Sequence, residues 1–260
     1  MKNNNKFRLD VWGAITLGTI ALYALFLLYP MAYLIRQSVL DPDTGGFTLA
    51  YFTKFFSKSY YFDTLINSFK VSITATVLSI AIGTPLAYLF TIFKIKGKSV
   101  LNILIVVASM SAPFIGAYSW ILLLGRSGVI TAFFKNLGIA IPDIYGFGGI
   151  VLVMTLQLFP LVFLYAKGAL KNIDNSLIEA AENLGCSGIV CFFKVVVPLI
   201  MPTLLAAALL VFMRSFADFG TPMLIGEGYR TFPVVLYTEF INEVGGSDGF
   251  AAAIAVIAIV

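Results

Sequence analysis

Long stretches without a charged residue are the main feature of the pattern of polar and apolar positions along this chain. Five of them hold 19 to 27 uncharged residues each, and they cover residues 11–35, 71–93, 99–125, 144–166 and 195–213. About 20 apolar residues in a helix cross the roughly 30 Å hydrocarbon core of a bilayer. The pattern therefore predicts an all-α fold, a polytopic bundle of transmembrane helices.

A sixth apolar run follows Asp248 and continues to Val260, the last residue of the sequence. Its 12 residues would cover about 18 Å as a helix, which is only part of a span. We therefore expect about six spans with the last one truncated, in a single membrane domain over residues 1–260. This domain would be a truncated chain or part of a longer one.

The first apolar run has an alternative interpretation as a cleaved signal peptide, because Lys2, Lys6 and Arg8 precede it. A signal peptide has an apolar region of roughly 7 to 15 residues followed by a cleavage site of small residues. Here the run continues through bulky side chains as far as Tyr33. This length favours a membrane span.

The distribution of Lys and Arg predicts the orientation of the spans. With the N-terminus in the cytoplasm, the inner segments 1–10, 94–98 and 167–194 carry 9 Lys and Arg in 43 residues. The outer segments between the other spans carry 8 in 88 residues. Because cytoplasmic loops are enriched in Lys and Arg, a cytoplasmic N-terminus is favoured.

The composition narrows the possible functions. The chain is 60% hydrophobic and 12% charged with a net charge of +4, so a soluble monomer is disfavoured and nucleic acid is not an expected partner. It contains no His, which excludes His-based catalytic and metal sites. No phosphate-binding Gly-rich loop with a Lys is present. We therefore expect no catalytic residue, no metal site and no cofactor in this chain. Cys186 and Cys191 are expected to be reduced.

The inner segment 167–194 is long enough to contain a helix of its own. Ser176 stands three residues before Glu179, a spacing that predicts a capping box, and Gly185 predicts the end of the helix. A helix over 177–184 would carry a small apolar stripe of Leu177, Ala180, Ala181 and Leu184. Periodicity alone leaves two roles open, docking on a cytosolic partner and lying on the membrane surface.

The same segment resembles a known signature. Glu179, Ala180 and Ala181 precede Gly185 at the spacing of the EAA motif of binding-protein-dependent ABC importer permeases, and Pro198 follows three valines at the expected offset. The resemblance implies a type I permease fold with a cytoplasmic coupling loop over 171–198. In such a loop, Pro198 would open the next span, and the contacts to an ATPase would be made by Glu179, Ala180, Ala181, Gly185, Leu177 and Leu184.

The resemblance also implies partners. It predicts a cytosolic ABC ATPase dimer that binds ATP and Mg²⁺, an extracytoplasmic substrate-binding protein, and a second permease half that is fused or separate. The chain would lie among lipids in the bacterial cytoplasmic (inner) membrane as a multi-pass protein. It would not be an enzyme itself. The alternative class is a membrane assembly or sensor subunit without transport activity.

Further motifs resemble those of the ferric-iron importer permeases. They are Gly-Ala-Tyr-Ser-Trp at 116–120, Gly-Arg-Ser-Gly at 125–128, Ala-Asp-Phe-Gly-Thr-Pro at 217–222 and Tyr-Arg-Thr at 229–231. Polyamine, phosphonate, sulfate and thiamine permeases share parts of these patterns, so they remain alternatives to iron. Ferric-iron permeases are often two fused halves, and this chain would be the first half.

A few polar residues near the span ends are candidate site residues. Arg214 and Asp218 are four residues apart, which places them on one helical face if the helix continues. They would form a local ion pair or, together with Tyr118, belong to a substrate path or gate. Arg126 and Arg230 on the predicted outer side are candidates for docking the binding protein. The mostly acidic segment 219–248 is expected to be a solvated loop.

Overall fold

The computed structural model describes residues 11–41, 45–93, 96–110, 112–186, 188–241 and 248–259, without the side chains of Asn175, Glu182 and Asp248. Lys2, Lys6, Arg8, Glu243 and Val260 lie outside the described residues. Apart from connections and an isolated β-bridge between Leu40 and Phe47, the described chain is helical. Its helices are α1 Val11–Tyr23, α2 Tyr29–Ser38, α3 Ala50–Ser57, α4 Ser59–Ile92, α5 Lys98–Ser109, α6 Pro113–Leu124, α7 Val129–Asn136, α8 Phe147–Lys171, α9 Asn175–Asn183, α10 Gly188–Cys191, α11 Val197–Ala217, α12 Gly220–Ile225, α13 Phe232–Ile241 and α14 Asp248–Ile259.

Within the described residues, five helical segments are long and apolar enough to cross a membrane. They are Val11–Ser38, Ser59–Ile92, Pro113–Asn136, Phe147–Lys171 and Gly188–Ala217. In the first and the last, a π-helical turn joins two α-helices, Ala24–Leu28 between α1 and α2 and Phe192–Val196 between α10 and α11. The predicted polytopic helical bundle is confirmed.

The uncharged run 99–125 does not form the single helix that its length predicts. It is divided into α5 and α6, and the break falls just before Pro113. Ala112 has an extended backbone, with φ −68° and ψ 142°. A proline disfavours the helical conformation in the residue before it, and it lacks the N–H that would continue the helix. The membrane-length segment in this region therefore begins at Pro113 and includes α7.

The segment after Asp218 is not the solvated loop that its acidic residues predict. It contains α12 and α13, and Phe232 and Val235 on α13 are buried. Between these helices the exposed residues are Glu227, Gly228 and Arg230. The prediction failed because few charges in a segment can all lie on its outer side while the apolar residues between them pack inward. Neither Cys186 nor Cys191 forms a disulfide with a described residue.

The described residues fall into two compact units. In the unit formed by the chain up to Phe62 and from Leu236 onward, α14 packs on α2 and α3. Phe55 stacks on Tyr61 at a ring distance of 6.0 Å, and Tyr61 meets Phe250 edge to face at 5.0 Å. These aromatic contacts hold α3 and α14 together.

In the unit Asp63–Val235, α8 lies at the centre and α5, α6, α11 and α12 all pack on it. The helix α4 approaches α8 closely at Gly83. A Cβ atom on Gly83 would lie 2.9 Å from the carbonyl oxygen of Phe159 and 2.9 Å from the Cβ of Val162. Small residues allow membrane helices to come this close. Near this point Phe90 meets Phe163 edge to face at 5.2 Å.

Candidate functional site

The helix α9 in the predicted inner segment is capped by Asp174 and not by Ser176. The backbone N–H of Ser176 donates to the Asp174 carboxylate at 2.9 Å, and the N–H of Leu177 donates to the Asp174 carbonyl oxygen at 3.0 Å. The predicted capping box with Glu179 is therefore wrong. The helix begins two residues earlier than predicted because Asp174 is itself a good N-cap residue and stands closer to the end of α8.

The cap makes α9 sensitive to acid. Hydrogen bonds from Ser176 hold the pKa of the Asp174 carboxyl below its ordinary value of 3.8. A carboxyl whose pKa is lowered in the folded state stabilises the fold above its unfolded pKa, and this stabilisation is lost as the pH falls through the folded pKa. Below about pH 4, we expect the amide hydrogens in the first turn of α9 to exchange faster relative to those of α8. Asp174→Asn should remove this pH dependence, because Asn caps helices without titrating. Equal pH profiles for both proteins would contradict the assignment.

The C-terminal end of α9 is set by Gly185, as predicted. Gly185 has φ +85°, in the left-handed region that side chains with a Cβ rarely adopt. The N–H of Cys186 donates to the carbonyl oxygen of Ala181 at 3.0 Å, and the N–H of Leu184 donates to that of Ala180 at 3.2 Å. The first bond is the one that closes a Schellman motif. Both ends of α9 are therefore defined by specific hydrogen bonds.

The apolar stripe of α9 is largely uncovered. Leu177 is 50% exposed and Leu184 is 88% exposed. Ala180 is exposed and Ala181 is half-buried, and Glu179 is exposed beside them. Ile178 instead packs against the core formed by α4, α8 and α11. Ile178 thus attaches the helix to the bundle, while Leu177, Glu179, Ala180 and Leu184 are exposed.

Pro198 lies in the first turn of α11, but it does not open the membrane-length segment as predicted. The helical segment already begins at Gly188, ten residues earlier, and continues to Ala217. Just before the proline, the N–H of Val197 donates to the carbonyl oxygen of Phe192 in a π-helical turn. A proline lacks a backbone N–H and its ring crowds the preceding turn, so a wider turn next to it relieves the conflict. The predicted coupling loop 171–198 therefore consists mostly of helix.

Arg214 and Asp218 do not form the predicted local ion pair. The helix α11 ends at Ala217, and Asp218 adopts an extended backbone with ψ 119°. Its carboxylate accepts hydrogen bonds from the N–H of Gly220 at 2.9 Å and from the hydroxyl of Thr221 at 2.7 Å. It also accepts one from the N–H of Thr221 at 3.3 Å. Asp218 thus caps the start of α12. It does not share a helical face with Arg214, because α11 ends before it.

Arg214 and Asp218 nevertheless line the same cavity, which has a volume of about 490 Å³. Phe114 and Phe219 form part of its wall and meet edge to face at 5.1 Å. The predicted third member, Tyr118, is 57% exposed and is not among the lining residues. Two polar residues that the sequence did not single out also line the cavity, Ser109 and Gln157. Their position inside uncharged runs was the available signal.

Arg126 is engaged within the chain. Its Nη2 donates to both carboxylate oxygens of Glu227 at 2.8 and 3.0 Å, and its Nε donates to Asp143 at 3.1 Å. The guanidinium also lies 4.8 Å from the ring centre of Tyr145. The hydrogen bonds that Arg126 donates to Glu227, and then the one to Asp143, raise the pKa of Arg126. The cluster joins three connections between helices.

Arg230 is exposed, and its carbonyl oxygen accepts a hydrogen bond from the side-chain amide of Asn67 at 3.1 Å.

Glu227 reaches Arg126 from an unfavourable backbone conformation. Its φ is +51°, and it is the one residue other than glycine with a positive φ in the described part of the chain. It lies in a tight turn in which the N–H of Tyr229 donates to the carbonyl oxygen of Gly226 at 2.7 Å. A residue with a Cβ in this region is strained by roughly 1 to 3 kcal/mol. The strain is retained at a position where the side chain makes a bidentate ion pair.

Two substitutions separate the strain from the ion pair. We expect Glu227→Gln to lower the melting temperature of the purified protein, because it weakens the ion pair and keeps the strained turn. Glu227→Gly also loses the pair but relieves a strain of roughly 1 kcal/mol or more. The glycine variant should therefore melt above the glutamine variant. The opposite order would show that the turn is not strained in solution.

Comparison with known proteins adds to this picture. The chain is 28% identical over 251 residues to the ferric transport system permease protein FbpB of Actinobacillus pleuropneumoniae, covering 95% of this chain and 35% of that protein. It is 28% identical over 262 residues to the spermidine/putrescine transport system permease protein PotB of Haemophilus influenzae, covering 96% of this chain and 89% of PotB. The chain spans about a third of the length of its ferric relatives.

A solved structure shares the fold. A chain in the crystal structure of a bacterial alginate ABC transporter, in complex with a periplasmic protein bound to alginate pentasaccharide, matches with a TM-score of 0.77 at 16% identity, over 95% of this chain and 88% of that one. The family model described as the inner membrane component of binding-protein-dependent transport systems matches residues 80–260, which include α9 and the cavity. The chain therefore belongs to this family of inner membrane transport components.

Proposed function

We propose that this chain is a permease subunit of an ATP-driven, binding-protein-dependent importer, and that α9 is the surface on which a cytosolic ABC ATPase dimer docks. The observation that carries the proposal is the exposure of the apolar stripe on α9, above all Leu184 at 88%. An exposed leucine at the end of a helix with both ends fixed fits a groove on a partner protein. ATP and Mg²⁺ bind to that partner, and residues 171–198 act as the coupling segment.

The connection from α9 to the cavity is one helical segment. It begins at Gly188, shortly after α9, and ends at Ala217, where Arg214 and Asp218 line the cavity. A segment of 30 residues covers about 45 Å as a helix. Closure of the ATPase dimer therefore moves α9, and the long helix carries this movement to the cavity. A nucleotide shifts the transporter only as far as it binds one state better than the other.

The partners on the other side follow from the family. An extracytoplasmic substrate-binding protein delivers the cargo, and a second permease half, fused or separate, completes the path. With the N-terminus in the cytoplasm, Arg126 and Arg230 lie on the outer side. Arg126 is paired with Glu227 and Asp143, and both arginines are exposed, so both are proposed to contact the binding protein.

We propose ferric iron as the cargo, on the basis of the similarity to FbpB proteins and of the motifs at 116–120 and 217–222. Similarity to PotB makes a polyamine the second candidate. Among the described residues no cluster of three His, Cys, Asp or Glu could hold a metal ion. The Asp218 carboxylate already accepts three hydrogen bonds. Selection of iron is therefore assigned to the binding protein, and the cavity with Arg214 and Asp218 serves as path or gate.

Docking is tested by Leu184→Ser. We expect the variant to insert normally and to bind the ATPase about thirtyfold more weakly. The reason is that it loses the burial of a leucine side chain in the partner, which contributes about 2 kcal/mol. Leu137→Ser is the matched control, because Leu137 is also exposed and also precedes a glycine with positive φ at the end of a short helix. Equal ATPase affinity for the two variants would refute docking on α9.

The cargo is tested with the intact transporter in proteoliposomes. Binding protein loaded with ferric iron should stimulate ATP hydrolysis, whereas the same protein without iron and a binding protein loaded with spermidine should not. Stimulation by spermidine alone would reject iron and retain the importer. No stimulation by any loaded binding protein, with the ATPase bound, would reject the importer function.

A further inference from the structure

The helices α5 and α8 bring three lysines together at one end of their contact. Lys98 and Asn102 are four residues apart and share one face of α5, and Lys167 and Lys171 share one face of α8 in the same way. The ammonium group of Lys167 donates a hydrogen bond to the side-chain oxygen of Asn102. This bond turns the two faces toward each other, so that Lys98 and Lys171 flank Lys167.

Among the described residues, no carboxylate forms an ion pair with the lysines of this cluster. Lys167 is half-buried, and its contacts are neutral, the amide of Asn102 and the ring of Phe163 at 5.4 Å. Lys98 and Lys171 are the charges that act on it, and both repel it. Within the described part of the chain, both ion pairs are made by Arg126. None of the three lysines therefore makes an ion pair with a side chain that the structure describes, although a charge withdrawn from water is stabilised by a partner.

The surroundings of the cluster indicate the kind of anion. The lysines lie where α5 begins and α8 ends, at the boundary of two strongly apolar segments. Beyond the lysines, α5 exposes apolar side chains on its surface, including Leu101 and Leu104. A ligand that fits both features has an anionic group attached to a hydrocarbon chain. Clusters of Lys and Arg at the cytoplasmic ends of membrane helices attract anionic lipid headgroups.

We propose that Lys98, Lys167 and Lys171 bind the phosphate of an anionic phospholipid in the cytoplasmic leaflet, with its acyl chain along α5. The amide of Asn102 holds Lys167 in place to face the phosphate. Lipid binding at this site does not depend on the proposed importer function. It requires only that the chain is inserted in the membrane with its N-terminus in the cytoplasm. The site lies outside the cavity lined by Arg214 and Asp218, so its ligand is not the cargo.

The test measures lipid binding to the full-length protein, with any copurifying subunits, by native mass spectrometry. Phosphatidylglycerol is titrated against wild type, Lys98→Gln and Lys171→Gln. We expect each substitution to weaken binding about fivefold. Lys135→Gln on α7 is the matched control, an exposed lysine in the last turn of another helix, and it should leave binding unchanged. Phosphatidylcholine, which has no net charge, should bind equally to all four proteins.

Two results would overturn the proposal. One is phosphatidylglycerol binding that Lys98→Gln and Lys171→Gln do not weaken relative to Lys135→Gln. The other is displacement of the lipid by millimolar inorganic phosphate with the same dependence on the lysines, because this would identify the occupant as a soluble anion. Both variants change residues at helix ends, and a thermal melt of each protein checks that it is folded. Because no ATPase is measured, these outcomes are independent of the importer function.

Discussion

Replacing Gly185 with valine is expected to abolish the stimulation of ATP hydrolysis by loaded binding protein, while the protein still inserts and accumulates. Gly185 has φ +85°, and nothing lies within 4 Å of the position that a Cβ would take. The substitution therefore introduces no clash, and its effect comes from the backbone. A left-handed conformation costs a β-branched residue roughly 1 to 2 kcal/mol or more, so the last turn of α9 rearranges and Leu184 moves.

The control for this experiment is Gly138→Val. Gly138 has φ +76° with open space around it, and it ends α7 with the same hydrogen bond, from the N–H of Ile139 to the carbonyl oxygen of Phe134. Both variants carry similar strain, but only one alters the docking helix. The measured quantity is ATPase stimulation in proteoliposomes, with a loss of at least about tenfold for Gly185→Val. A comparable loss in Gly138→Val would mean that strain at any helix end uncouples the protein.

The largest effect on stability is expected for Gly83→Val. The new Cβ would lie 2.9 Å from the carbonyl oxygen of Phe159 and 3.0 Å from the backbone nitrogen of Phe163. Backbone atoms of α8 cannot move aside without separating α4 from α8. Inserting atoms into a packed core typically costs 1 to 3 kcal/mol, and we expect about 3 kcal/mol here. The purified protein should melt about 10 °C lower or fail to accumulate.

Gly168→Val shows whether this effect depends on packing. Gly168 lies within α8, and nothing is found within 4 Å of its Cβ position. The two substitutions have the same effect on helix propensity. If Gly168→Val and Gly83→Val melted at the same temperature, the close approach of α4 and α8 would not be a source of stability.

Counting uncharged residues predicted the number of long helical segments but not every boundary. The count works because a bilayer requires about 20 uncharged residues for each crossing. It failed at 99–125, where Pro113 ends one helix and begins another without contributing any charge. The same limit applies to Arg214 and Asp218. Their spacing places them on one face only in a continuous helix, and α11 stops between them.

At α9 the sequence predicted one end correctly. A glycine after an apolar helix indicates a left-handed residue, and Gly185 has this conformation. At the other end, Ser176 and Asp174 are both good N-cap residues. Which of them caps α9 depends on the residue at which α8 ends. The Arg126 cluster could not be predicted, because Asp143 and Glu227 are 17 and 101 residues away. Such partners depend on the packing of whole helices.

The two helix breaks, before Pro113 and after Ala217, have a consequence for hydration. Ser109 and Pro113 on either side of the first break line the cavity, and so do Ala217 and Asp218 at the second. Backbone groups at helix ends lack helical partners, and hydrocarbon provides none, so irregular backbone within membrane proteins faces water or protein. Water in this cavity would supply partners for the backbone groups at both breaks, so we expect the cavity to be hydrated. A solute that enters a hydrated cavity keeps part of its hydration and does not have to cross a dry apolar layer.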